Sequence, residues 1–67
     1  MIIKNTKELG NYIRTIRKNQ FLTQSDIAAV SGVGVRFIVD LEKGKETCEI
    51  AKVMKVIQAL GLSINIE

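Results

Sequence analysis

Sixty-seven residues allow one domain with one small core, and a chain this short is marginal alone without a metal, disulfides or a partner subunit. With no histidine and a single cysteine, Cys48, one chain can build neither an internal disulfide nor an all-protein zinc site, so oligomerisation is the remaining staple. A net charge of +3, 46% hydrophobic and 25% charged residues and no proline describe a compact helical domain and exclude a disordered tail.

The charge is unevenly spread. Lys4, Lys7, Arg14, Arg17 and Lys18 crowd the first third, where Glu8 is the sole acid before Asp26, and Lys43 and Lys45 follow later. A basic surface is expected on the side that holds the first helix and the loop after Glu42. No apolar run approaches the roughly 18 residues of a membrane span. Met1-Ile2-Ile3-Lys4 is too short for a signal-peptide core. The expectation is a cytoplasmic protein without a membrane partner, and an unpaired Cys48 fits a reducing compartment.

In chain order, Thr6 is placed to cap a first helix over residues 7–18, with Glu8 in its first turn and Lys18 in its last. Leu9, Ile13 and Ile16 recur at helical spacing as a core stripe, with Tyr12 alongside. Phe21 and Leu22 are expected to bury in the following loop. Thr23 caps a second helix over 24–31, and Asp26 three residues on completes a short-acid capping box. Gly34-Val35 opens a third helix that runs to Lys43 and is ended by Gly44. Thr47 is expected to cap a fourth over 48–60, with an apolar stripe of Ile50, Val53, Met54, Ile57 and Leu60 and Gly61 as stop.

The tail then changes period. Leu62-Ser63-Ile64-Asn65-Ile66-Glu67 alternates apolar and polar, the pattern of a half-buried strand. A lone strand needs a partner for its backbone hydrogen bonds. Candidate partners are the same strand of a second subunit and the Ile2-Ile3 segment; the other reading is a tail packed on the core. The chain thus divides into a helical unit, 1–61, and a short β-strand arm, 62–67, with Leu62, Ile64 and Ile66 as dimerisation residues. The fold class expected is all-α, a small four-helix bundle plus that strand.

The stretch from Thr23 to Lys45 carries the functional signal. Two helices crossing at a steep angle need a small residue where their axes meet and a glycine in the turn. Ala28 supplies the first and Gly32 the second, while Ile27, Ile38 and Leu41 close the wedge. This is the helix-turn-helix unit that lays its second helix in the DNA major groove. Val35, Arg36 and Asp40 are then the candidate base readers, because Phe37, Ile38 and Leu41 are needed inside.

Arg36 can bond O6 and N7 of one guanine, worth about 1–3 kcal/mol of discrimination, or hold a phosphate. Val35 can meet a thymine methyl. Asp40 can accept from a cytosine amino group or serve as an ion-paired face residue. Thr23, Gln24, Gly34, Lys43 and Lys45 are the expected backbone contacts, Gln24 together with the amides at the start of its helix. Arg17 and Glu42 are expected to tie the first helix to the third as a bidentate pair, with Arg17 also able to face a phosphate.

Leu22-Thr23-Gln24, Ile27-Ala28, Ser31-Gly32-Val33, Phe37-Ile38, Leu41-Glu42 and Lys43-Gly44-Lys45 together resemble the Xre, or Cro/repressor, type of helix-turn-helix regulator. The resemblance implies that Gln24 holds a phosphate, that the helix after Gly32-Val33 reads bases, and that Arg17–Glu42 is internal. One departure is Gly34, where that family usually caps the third helix with Ser or Thr. Leu9-Gly10 with Ile13-Arg14, the run Val33 to Lys45, and Lys52 to Leu62 further resemble HipB-like antitoxins. That resemblance implies a repressor of its own operon that dimerises through C-terminal strands on a palindromic operator and binds a HipA-like serine/threonine kinase toxin.

Enzymatic chemistry finds no footing. There is no imidazole base, Cys48 has no histidine partner, and Gly32-Val33-Gly34 follows a helix and lacks the longer phosphate-cradle fingerprint. No cofactor and no metal are expected.

Overall fold

The computed structural model describes residues 2–66, so Met1 and Glu67, the ends of the two expected units, lie outside the described residues. Four helices follow in order: α1 (Thr6–Asn19), α2 (Gln24–Ser31), α3 (Val35–Glu42) and α4 (Ile50–Ala59). α1 packs on α3, and α2 packs on both α3 and α4.

α1 begins one residue earlier than the periodicity predicts. Asn5 caps it, its side-chain oxygen accepting from the Glu8 N–H at 2.8 Å. The Thr6 hydroxyl instead donates to the Gly44 carbonyl at 2.8 Å and ties the start of α1 to the loop after α3. One face buries Gly10, Ile13 and Arg17, the three- and four-residue spacing that stacks side chains along a helix. Gly10 is there because of space. A Cβ on it would lie 2.8 Å from the Glu42 carbonyl oxygen, so α1 crosses the end of α3 in direct backbone contact.

α2 matches its expected bounds. Its Thr23 hydroxyl accepts from the Asp26 N–H at 3.0 Å, and the Asp26 carboxylate accepts from the Thr23 N–H at 2.8 Å. The capping box is complete.

All four helices stop by one device, in which two amides just past the helix fold back on its last carbonyls. After α2, Gly32 N–H donates to Ala29 O and Val33 N–H to Ala28 O. Gly44–Lys45 and Gly61–Leu62 repeat this after α3 and α4, and Phe21–Leu22 repeats it after α1. The device needs left-handed backbone, which Gly32 enters at φ 73° without cost. Phe21 does the same at φ 60° with a full side chain. That backbone turns the ring outward, so Phe21 is 95% exposed and the expectation that it buries is wrong. Leu22 is half-buried as the chain turns into α2.

α4 is shorter than expected. Thr47 and Cys48 stay outside it, and Glu49 occupies the cap position without a side-chain hydrogen bond. Its buried stripe is Val53, Val56, Ile57 and Leu60, spaced by three, one and three, whereas Ile50 and Met54 fall on the edge of that stripe and stay exposed. These four join Ile13, Ile27, Ala28, Ile38 and Leu41 as the core.

No strand forms among the described residues. Leu62 packs on the core, but Ile64 and Ile66 project into solvent. A strand is made by ladder hydrogen bonds to a neighbour, and a single copy of this chain offers the tail no free strand edge, Ile2-Ile3 included. The β-strand in the expected fold class is corrected accordingly: one copy of the chain is a small all-helical bundle.

Candidate nucleic-acid interface

The α2–turn–α3 unit is held from beneath by a buried charge cluster. Arg17 on α1 donates to the Glu42 carboxylate twice, Nε to Oε2 at 2.6 Å and Nη2 to Oε1 at 3.0 Å, and its remaining nitrogen Nη1 donates to the Leu22 carbonyl at 2.7 Å. Both residues are 6% exposed. The hydrogen bonds to Glu42 raise the Arg17 pKa above its ordinary value against the opposing effect of burial, so the guanidinium stays charged. No described buried side-chain nitrogen or oxygen lacks a partner. That completeness is what makes an internal ion pair tolerable.

Gln24 joins this cluster. Its Nε2 donates to Glu42 Oε1 at 3.2 Å, and because a carboxylate only accepts, the amide nitrogen must be the atom that faces it. That nitrogen carries two hydrogens, so one is committed inside and one remains for an outside acceptor. Periodicity gave no hint of this tether. A glutamine at the first position of a helix reads equally as an exposed polar residue.

On α3, Gly34 occupies the cap position with φ −75° and ψ 153° and no side-chain cap. Val35 is 43% exposed and the Arg36 side chain 81% exposed, both at the solvent-facing start of the helix. Ile38, Leu41 and Glu42 face inward, and Phe37 packs half-buried with the Lys52 ammonium 5.9 Å from its ring centre.

Asp40 is paired rather than free. Its Oδ1 lies 3.2 Å from Arg36 Nε and its Oδ2 3.6 Å from Lys45 Nζ. Solvent-exposed pairs of this kind contribute about 0.2–1 kcal/mol at most.

Lys7, Arg36, Lys43 and Lys45 line one open cleft between the start of α1 and the end of α3, against the acids Asp40 and Glu46. The first helix and the loop after Glu42 thus share a face with a surplus of positive charge. Gly44 makes this packing possible: at φ 87°, a Cβ would sit 2.7 Å from Lys7 Cα. Thr23 is spent on its capping box, leaving the N-terminal amides of α2 beside it.

Among the described residues no group of histidine, cysteine, aspartate or glutamate could hold a metal, and no helix is long and apolar enough to cross a membrane.

The pattern of the family described as "Helix-turn-helix" matches residues 13–66. The chain belongs to that family. It is 53% identical over 64 residues to the uncharacterised HTH-type transcriptional regulator y4mF of Sinorhizobium fredii, covering 96% of this chain and 84% of that protein. A second regulator of the same organism, y4dJ, is 30% identical over 57 residues, or 85% of this chain and 74% of that one. As a member of the helix-turn-helix family, the protein is a DNA-binding transcriptional regulator.

The fold has close solved counterparts. A structure described as a HipB–O4 20mer complex superposes with a TM-score of 0.91 at 24% identity, over 98% of this chain and 93% of that one. One described as a HipA–HipB–O2–O3 complex gives the same TM-score and identity over 98% of this chain. At this identity the helix-turn-helix scaffold is what the likeness shows.

Proposed function

We propose that this regulator is a sequence-specific repressor that binds a palindromic operator as a homodimer, with α3 in the major groove and Arg36 as the principal base reader. The single observation that carries the reading is the exposed start of α3, where Val35 and Arg36 project beside a cleft of lysines. In this reading Gln24 offers its second amide hydrogen, with the first amides of α2, to one phosphate, and Lys43 and Lys45 hold the next. Gly34 brings its backbone amide to the same strand, and Thr23, whose own amide is taken by Asp26, serves by capping the start of α2 that faces the phosphate. Two copies present two α3 helices to half-sites about 34 Å apart.

The homodimer is supported by the apolar side chains left outside the core. Ile50 and Met54 on α4 and Ile64 and Ile66 on the tail are all exposed, and Ile50 and Ile64 border the same groove as Ile3 and Leu9. Pairing the two tails would give each the partner strand that one copy lacks.

A finer reading makes the protein an autoregulating antitoxin with a HipA-like kinase as its partner. Its support is the fold shared with HipB, including the structure described as a HipA–HipB–O2–O3 complex. A stand-alone repressor is the second reading, favoured by the fact that the relative at 53% identity is described only as a transcriptional regulator.

The test is a fluorescence-anisotropy titration with the DNA upstream of the protein's own gene, at two salt concentrations, beside a scrambled duplex. Tight, salt-dependent binding with a large preference over the scramble supports an autorepressor. Equal binding to both duplexes, or none, overturns it.

A further inference from the structure

Asp40 is the one carboxylate on the exposed face of α3, and both of its oxygens are engaged by cations. Oδ1 faces Arg36 Nε and Oδ2 faces Lys45 Nζ, while the Lys45 backbone N–H donates to the Asp40 carbonyl at 3.0 Å. The Asp40 side chain is only 21% exposed, against 81% for Arg36 and 53% for Lys45. The carboxylate sits low between two side chains that stand out from the surface. A cytosine amino group would have to displace one of those cations to reach it.

The atom of Arg36 that Asp40 engages matters. The closest approach is an ion-pair contact through Nε at 3.2 Å, which leaves the two terminal nitrogens Nη1 and Nη2 at the outer end of a side chain that is 81% exposed. These are the pair that meets O6 and N7 of a guanine end-on. A free arginine on a helix surface samples many rotamers and finds a phosphate as readily as a base. An arginine held at Nε loses much of that freedom before it meets DNA.

We propose that Asp40 is a positioning residue for base reading: it holds Arg36 by Nε, so that the two terminal nitrogens face a guanine, and it holds Lys45 toward the backbone. The proposal rests on the DNA-binding reading above and departs from direct reading of a cytosine by Asp40. It sets specificity and costs affinity, since a carboxylate on a DNA-facing surface repels phosphate.

The test uses the full chain, a duplex it selects from a random pool, and random-sequence DNA as competitor. Asp40→Ala, Arg36→Ala, the double variant and Asp40→Glu are compared, with thermal melts to show that each stays folded. Asp40→Ala is expected to bind random DNA several-fold tighter, with the slope of log affinity against log salt steeper by about one as the freed cations find phosphates. Its preference for the selected duplex should fall by a few-fold, up to about fivefold, the most that an exposed pair of this kind supplies. In the Arg36→Ala background the same change should cost almost no further preference, and Asp40→Glu should restore part of it.

An unchanged preference in Asp40→Ala overturns the proposal. So does a loss confined to one cytosine pair that adds fully to the loss from Arg36→Ala, which is the signature of direct reading. If the unsubstituted protein selects no duplex at all, the DNA-binding reading fails and this inference fails with it, a result visible before any variant is made.

Discussion

Arg17 and Glu42 stand 25 positions apart in the chain and meet as a two-pronged pair, 2.6 and 3.0 Å, beneath the helix-turn-helix. Removing either partner strands the other charge in a site that is 6% exposed. Arg17→Ala and Glu42→Ala are each expected to cost about 3–5 kcal/mol, most of the stability of a domain this size. Replacing both with Met and Leu should cost far less than the two single changes added together. Urea unfolding of the three variants checks it; additive losses would show that the pair acts as two unrelated contacts.

Gly10 reverses the usual rule for a glycine inside a helix. In open surroundings Gly→Ala stabilises a helix by about 1 kcal/mol. Here the added methyl would press on the Leu41 and Glu42 carbonyls, so Gly10→Ala is expected to destabilise by about 1–3 kcal/mol. A higher melting temperature would mean that α1 and α3 lie further apart than the structure places them.

Phe21 holds left-handed backbone with no packing to offset it. Left-handed geometry costs a side-chain-bearing residue about 1–2 kcal/mol, and glycine's extra backbone entropy returns about 0.5–1 of that. Phe21→Gly is therefore expected to raise stability by up to about 1 kcal/mol, a few degrees in melting temperature. Calorimetry decides. A lower melting temperature would show that the ring makes stabilising contacts.

The capping box sets a pH dependence. The Thr23 backbone N–H, and then its side chain, hold the Asp26 carboxyl below its ordinary value of 3.8. The unfolded chain therefore takes up the proton first as pH falls. The stabilisation is complete above the ordinary value and is lost as pH drops through the lowered one. Asp26→Asn lacks this dependence, so the stability gap between it and the parent chain should be widest near neutrality and close below pH 3.8. A gap that persists unchanged into strong acid would assign the stabilisation to something other than the carboxylate.

The exposed tail gives a prediction about assembly. A chain ending at Gly61 is expected to sediment as a monomer while keeping its helical circular dichroism, since only Leu62 of the tail packs on the core. An intact dimer would move the interface to Ile50 and Met54 on α4.

Much of the fold was legible because its signals are local. The capping box of α2, the left-handed turn at Gly32 and the small residue Ala28 act within a few positions of one another, and α2 has the bounds those signals imply. Where two neighbours could do one job, local reasoning chose wrongly: Asn5 rather than Thr6 caps α1 because the Thr6 hydroxyl is drawn to Gly44, 38 positions away. The exposed side of α3, with Val35 and Arg36, followed from elimination, since the inward positions Ile38 and Leu41 were recognisable as core.

The sequence by itself determined four helices, a helix-turn-helix and an outward-facing Arg36, because helical period, capping and turn chemistry are properties of adjacent residues. Tertiary structure alone decided the rest. It pressed Gly10 against the end of α3, tethered Gln24 to Glu42, brought Lys7 beside Lys43 and left Phe21 in solvent. Each of these depends on which surfaces meet across the core, and side-chain spacing along one helix does not specify its distance from another.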